Sequence, residues 1–301
     1  MLKAPAFLFP TSVILIDDDY LYAQLLPDRL KNCPPMTAFS NFDFLLEQQE
    51  NDFLLTNYDK NNIHKDHIYQ NIKQSINNKT NQIKGVISVI VCDFHLQNTT
   101  GLELFNKLKS PFIYKILISN FIDPESESED EIKNAQNAGI IDVVLEKGTK
   151  LREQLPNAIF TGQSKFFTLL SNQIFEKQET QNHLSDTILS NHFIKMIDQF
   201  RPEYIWPEID LASFTLEKAN SKQKKRVFIT TTDEINTLLS GYNAETALAT
   251  TIEKLKSGDF IICHENPHSL DGLEWAYHLR PASKIAGSNS NFLYHTIEEC
   301  E

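Results

Sequence analysis

The stretch "VILIDDDYLY", residues 13–22, runs four apolar residues straight into three carboxylates, Asp17, Asp18 and Asp19. Adjacent carboxylates repel one another, and more strongly where water is scarce. A strand that ends on such a cluster needs open water, a basic neighbour or a cation. One of the three acids can also cap the helix that "YLYAQLLPDRL" predicts immediately afterwards.

Working outward, the first half of the chain alternates strands and helices. Strands are predicted at 12–16, 37–40, 85–92 ("GVISVIVC"), 112–118 and 140–145, and helices at 20–31, 42–50, 101–109 and 129–138. The runs at 13–16, 86–92 and 140–145 are almost continuously apolar, the mark of parallel strands covered on both faces. Five strand–helix units in about 150 residues predict a doubly wound α/β domain.

Composition limits the classes of function. The chain has 301 residues, 41% of them hydrophobic, enough for two ordinary domains. Its net charge of −12 argues against broad binding to a nucleic-acid backbone. Cys33, Cys92, Cys263 and Cys300 are far apart without paired spacing, which suggests free thiols in a reducing cytoplasm. No apolar run reaches the roughly 18 residues of a membrane span, and the start of the chain does not read as a signal peptide.

In open parallel sheets, sites form beyond the carboxyl ends of the strands. The third strand ends at Asp93 ("SVIVCDFHLQNTTG"), the fourth at Ser119 ("KILISN") and the fifth at Lys147 ("DVVLEKG"). Together with Asp17 and Asp18 they place acids, a hydroxyl and an amine on one edge. Carboxylates so grouped suit an oxygen-seeking divalent cation such as Mg2+, with Lys147 supplying compensating charge.

On these residues, about 10–155 resembles the receiver domain of bacterial two-component response regulators. The acid pair Asp17-Asp18, Asp93 followed by "GLELFNKL" from Gly101, Ser119, and "NAQNAGIIDVVLEK" ending at Lys147 stand in the family's order. The resemblance implies the flavodoxin-like (βα)5 form of that domain, and that Asp93 accepts a phosphoryl group from a histidine of a sensor kinase or phosphotransfer protein. It implies Mg2+ held by Asp18, Asp93 and the backbone carbonyl of His95, with Asp17 acting through water. Lys147 would pair with Asp93 or its phosphate, and Ser119 would hydrogen-bond the phosphoryl oxygen. Four positions depart from the family pattern: Gln97 and Gly148 replace prolines, Val144 stands where an aromatic switch residue is common, and Asn120 follows Ser119 where a smaller residue is usual.

Two insertions interrupt the pattern. Residues 50–84 are rich in Asn and Lys, with His64 and His67 in HxxH spacing, and "DPESESED" spans 123–130. Both are expected to be solvated surface segments, the second placing acids at a helix start. The domain layout predicted is a receiver at 1–155, a helical connector at 156–185 broken or kinked by Pro156 and Gly162, and an output domain at 186–301. The connector's stripe of Phe166, Phe167, Leu170 and Ile174 suits either domain packing or a dimer seam.

The output half reads as α/β, with a Rossmann-like arrangement expected from strands at 224–232 and 260–267 and the helices between them. His264, Glu265, His268 and Asp271 follow a strand end, where a satisfied loop competes with a site. A DNA-binding output is one alternative, but the one basic run, "KQKKR" (222–226), is not followed by a basic recognition helix. A protein- or ligand-binding output is favoured. The layout also weakly resembles quorum-sensing response regulators with a nucleotide-binding or degenerate enzymatic output. The reading is thus a cytoplasmic response regulator that dimerises on phosphorylation, with no separate enzymatic activity evident.

Overall fold

The computed structural model describes residues 1–30, 33–40, 86–108, 110–120, 127–175, 183–207, 213–218, 223–240, 249–264, 267, 270, 273–285 and 292–300. The helix expected at 42–50, the 50–84 segment with His64 and His67, the start of "DPESESED", and Glu265, His268 and Asp271 lie outside these residues. The chain divides into two compact units, Pro10–Leu170 and Met1–Phe9 together with Ser171–Glu301.

The Pro10–Leu170 unit is built on a five-stranded parallel sheet. Its strands are β1 (Ser12–Ile16), β2 (Met36–Phe39), β3 (Ile87–Asp93), β4 (Tyr114–Ser119) and β5 (Val143–Glu146). They run in the order β2-β1-β3-β4-β5, each neighbour parallel, which is the flavodoxin-like order. The described helices are α1 (Tyr20–Arg29), α2 (Gly101–Lys107), α3 (Glu127–Asn137) and α4 (Leu151–Phe175). Alternate residues of the central strands enter two separate cores. Ile14, Ile16, Ile90, Cys92 and Leu117 pack with Leu104 and Phe105 of α2 and with Ile132 and Ala135 of α3. Val13, Leu15, Val89, Val91 and Ile116 pack with Ala23 and Leu26 of α1 and with Leu151, Leu155 and Ile159 of α4. Burial on both faces is why these strands read as unbroken apolar runs.

Two local expectations change. Strand β5 starts at Val143, later than predicted, because Asp142 is held across the sheet by both its groups: its N–H donates to the Lys115 carbonyl at 2.9 Å and its carboxylate accepts from the Lys115 N–H at 2.9 Å. Helix α4 runs through Pro156 and Gly162 without a break. Gly162 is instead a seat for an aromatic ring, since a Cβ there would lie 2.5 Å from Cδ1 of Tyr114. Phe166, Phe167 and Leu170 are buried, with Phe166 edge-on to Phe112 at 6.5 Å between ring centroids. Of the two uses expected for that stripe, packing within the chain is the one observed, and these side chains are not free to form a dimer seam.

The second unit also mixes helices with a five-stranded sheet. It comprises β6 (Tyr204–Pro207), β7 (Ser213–Lys218), β8 (Gln223–Thr231), β11 (Ser283–Lys284) and β12 (Phe292–Cys300), in the order β11-β12-β8-β7-β6. Two shorter strands, β9 (Phe260–Ile262) and β10 (Leu279–Pro281), pair separately. Every pairing among these described strands is antiparallel, so the arrangement is α/β in content but differs from the parallel Rossmann-like sheet expected. One reason is visible in β8: Lys224 lies opposite Glu217 and Lys225 opposite Glu298 at its start, whereas Val227–Ile229 are buried at its end, a half-solvated pattern that antiparallel sheets accommodate.

Both faces of the sheet are covered. On one, α5 (Thr187–Phe200) sets Phe193 against Phe214 and His192 against Tyr294. On the other, Phe228 and Leu293 pack with Ile235 and Leu238 of α6 (Thr232–Ser240), Leu255 of α7 (Ala249–Lys256) and Trp275 of the short α8 (Trp275–His278). Residues 223–226 of the basic run lie in β8, where Lys225 pairs with Glu298 across the strands at 2.8 Å.

Candidate phosphoacceptor site

The three acids of the opening stretch take three different roles. Asp17, directly after β1, is fully buried, and Asp18 is exposed. Asp19 is the N-cap of α1, its carboxylate accepting from the Tyr22 N–H at 3.0 Å. Asp17 in turn accepts from the Asp19 N–H at 3.0 Å, which fixes the turn between strand and helix.

The parallel sheet then delivers the remaining groups to the same edge. Asp93 is the last residue of β3, Ser119 the last of β4, and Lys147 follows β5. The Lys147 ammonium bridges two carboxylates, 2.7 Å from Asp17 Oδ2 and 2.7 Å from Asp93 Oδ2. It also stands 4.8 Å from the centre of the Tyr22 ring, a cation–π contact that closes one side. The Lys147 N–H donates to the Ser119 carbonyl at 2.6 Å, so the lysine and Ser119 are held in register. Carboxylate oxygens of Asp17, Asp18 and Asp93 all lie within 4.8 Å of one another.

The electrostatics follow from burial and these contacts. Burial pushes the Asp17 carboxyl up and outweighs the opposing pull of Lys147, while the nearby Asp93 charge adds to the rise. Burial alone would lower the Lys147 ammonium, but its bonds to Asp17 and Asp93 dominate and hold it above the ordinary lysine value. When all are ionised, three carboxylates face one ammonium and two negative charges remain uncompensated. That surplus, presented by oxygen donors only, fits a hard divalent cation such as Mg2+.

Gly101 has a specific steric reason. A Cβ there would sit 2.4 Å from the Asp93 backbone oxygen and 2.9 Å from Leu117 Cδ1. The Gly101 N–H donates to the Phe94 carbonyl at 2.9 Å, so the loop from Asp93 folds back tightly onto the start of α2. Within that loop His95 pairs with Thr100 in a short hairpin. Val144 is half-buried and packs on the α2–α3 side of the sheet. The structure places Asp17, Asp18, Asp93 and Lys147 together at this edge, with Ser119 at the end of β4 beside them. Sequence reasoning missed Tyr22, for which the only signal was its place in the first turn of α1.

A parallel sheet in the order 2-1-3-4-5, with acids directly after β1 and at the end of β3 and a lysine directly after β5, has the receiver fold of response regulators. Over 98% of its length this chain is similar in structure to the response regulator LqsR of Legionella pneumophila, at a TM-score of 0.74, 17% identity and 89% coverage of that chain. Partial likenesses include the adenylate cyclase from Rhodopirellula baltica, at TM-score 0.38 and 17% identity over 56% of this chain and 98% of that one. Another is the signal receiver domain of an HD domain-containing protein from Pseudomonas fluorescens, at TM-score 0.34 and 15% identity over 56% and 93%. These two scores are too low to carry a conclusion. No protein-family model and no curated protein matches the sequence. Among the described residues, no helix is long and apolar enough to cross a membrane.

Proposed function

We propose that the protein is a two-component response regulator that accepts a phosphoryl group on Asp93 from a sensor histidine kinase or phosphotransfer protein. The observation that carries this reading is the Lys147 ammonium set 2.7 Å from both Asp17 and Asp93, at the carboxyl edge of a receiver-fold sheet. In the transfer, a carboxylate oxygen of Asp93 forms a bond to phosphorus as the bond from phosphorus to the donor's imidazole nitrogen breaks. The electron pair leaves with the imidazole. Asp17 holds Lys147 beside Asp93, where its charge balances the added phosphoryl oxygens, and Ser119 donates its hydroxyl to one of them. Mg2+, held by Asp18, Asp93 and the His95 carbonyl with Asp17 through water, would supply neutralising charge to those oxygens.

The phosphorylated state adds roughly two negative charges at Asp93 and is read out as self-association and as a change in the second unit. With Phe166, Phe167 and Leu170 buried, the exposed polar side of α3 is the surface proposed for that association. Incubation with acetyl phosphate and Mg2+ should label the protein on an acyl phosphate that hydroxylamine removes, and EDTA or Asp93→Asn should abolish labelling. A hydroxylamine-sensitive label that persists in Asp93→Asn would sink the assignment. Light scattering should then show more dimer with beryllofluoride than without it. Equal masses at tens of micromolar would exclude the dimer while leaving the phosphoacceptor intact.

A further inference from the structure

Asp17 uses both of its carboxylate oxygens. Oδ2 takes the Lys147 ammonium at 2.7 Å, and Oδ1 accepts from the Asp19 N–H at 3.0 Å. Asp19 in turn accepts from the Tyr22 N–H at 3.0 Å, and the centre of the Tyr22 ring lies 4.8 Å from the Lys147 ammonium. Lys147, Asp17, Asp19 and Tyr22 thus form a closed circuit of contacts, with the first turn of α1 as its rigid side. Tyr22 is half-buried and packs on the apolar cluster of Val13, Leu15, Ala23 and Leu26. That packing and the cap fix where its aromatic face stands.

An ammonium has three N–H groups to place. Asp17 and Asp93 engage two of them, and the Tyr22 ring is the remaining contact of the Lys147 ammonium among the described residues. The flexible stem of a lysine lets its head turn out to water unless each side is occupied. Here the side chain is only 9% exposed. An aliphatic residue at position 22 would fill much of the same space but offer the cation no electron-rich face. We propose that Tyr22 is a positioning residue: its ring holds the Lys147 ammonium between Asp17 and Asp93, and by doing so sets the rate at which Asp93 gains a phosphoryl group. The second half rests on the phosphoacceptor reading above, and the first half does not. The third acid of the opening stretch gains a purpose beyond capping, since Asp19 places the Tyr22 ring.

Two measurements on the full chain separate the halves. The first is the rate at which an amine-reactive acetyl ester modifies Lys147, followed by peptide mass spectrometry in EDTA. Tyr22→Leu, which keeps apolar volume without the aromatic face, should speed modification about three- to tenfold, the size of one cation–π contact in a largely desolvated site. Tyr22→Phe, which keeps the ring, should bring the rate back close to wild type. Tyr22→Met is the companion should Tyr22→Leu lose the protection of its β3 amides. Modification of the aliphatic variant at the wild-type rate, or of Tyr22→Phe as fast as Tyr22→Leu, overturns the proposal. The second measurement is labelling by acetyl phosphate with Mg2+, in which an Asp93 oxygen bonds to phosphorus and acetate leaves with the electron pair of the broken P–O bond. Tyr22→Leu should slow labelling about three- to tenfold, and Tyr22→Phe should recover most of the loss. If wild type takes label but Tyr22→Leu labels just as fast, the role in transfer alone is overturned. If wild type takes no label, the phosphoacceptor reading falls and the transfer role with it, while the modification rates still decide whether the ring holds Lys147.

Discussion

The two units each carry a five-stranded sheet with helices on both faces, but their strands end differently. In the Pro10–Leu170 unit every strand runs the same way, so the residues that follow β1, β3, β4 and β5 converge on one edge. Charge is concentrated there, with Lys147 shared between two buried acids. In the other unit the antiparallel strands end alternately at opposite edges, and charges are taken up in separate pairs, such as Lys225 with Glu298 and Lys284 with Asp259. Parallel topology thus builds one strongly coupled site, whereas the antiparallel unit disperses its polar groups through local contacts.

The largest effect that would sharpen this contrast comes from Lys147→Met. It leaves Asp17 and Asp93 buried beside each other without a counter-charge, a loss of about 3–5 kcal/mol when one partner of a buried ion pair is removed. Added Mg2+ should restore part of that loss, because the carboxylate oxygens stay grouped within 4.8 Å. Denaturant unfolding in EDTA and in millimolar Mg2+ measures both numbers. A variant as stable as wild type in EDTA would mean that the cluster is not electrostatically coupled.

Next in size is Gly101→Ala. Its Cβ would overlap the Asp93 backbone oxygen, at 2.4 Å, and backbone there cannot yield cheaply. Overpacking of this kind costs about 1–3 kcal/mol. Protection of the β3 amides should fall while that of β8 does not, and labelling of Asp93 should slow. Equal loss in both sheets would break the picture of two separately built units.

What the sequence made legible follows the same division. The runs at β1 and β3 are apolar at successive positions because both faces are buried, and their polar ends mark the site without any structural help. The second unit mixes signals. In β8, Lys224, Lys225 and Arg226 precede Val227–Ile229, so one strand is half-solvated at its start and buried at its end. The edge strand β6, "YIWP", is four residues long, too short for a period to show. Above all, pairing of Leu8 with Ile205 spans almost 200 positions, and no local pattern announces it. The capping pair of α6 was readable in principle: "TTDE" from Thr231 to Glu234 has the spacing of a capping box.

That capping box gives the smallest and most local prediction. The Glu234 N–H donates to Thr231 Oγ1 at 3.1 Å, and the Glu234 carboxylate accepts from the Thr231 N–H at 2.8 Å. It also accepts from Thr230 Oγ1 at 3.1 Å and lies 3.3 Å from Nε2 of the buried His183. Burial would raise the Glu234 carboxyl, but the bond and charge of His183, then the Thr231 and Thr230 bonds, outweigh it and leave it below the ordinary glutamate value. A carboxyl lowered on folding contributes stability that is fully present above its unfolded value, 4.5, and disappears as the pH falls through the lower folded value. Glu234→Gln keeps an acceptor for Thr231 but removes the charge. It should cost the second unit no more than about 1 kcal/mol at neutral pH, since the side chain is only partly shielded from water. Below about pH 4.5 the gap between variant and wild type should close. Exchange protection of α6 and β8 amides, followed from pH 7 downward, gives the comparison directly. A gap that widens on acidification would reverse the sign and show that His183 does not stabilise the ionised carboxylate, while the β3 amides should show no difference at any pH.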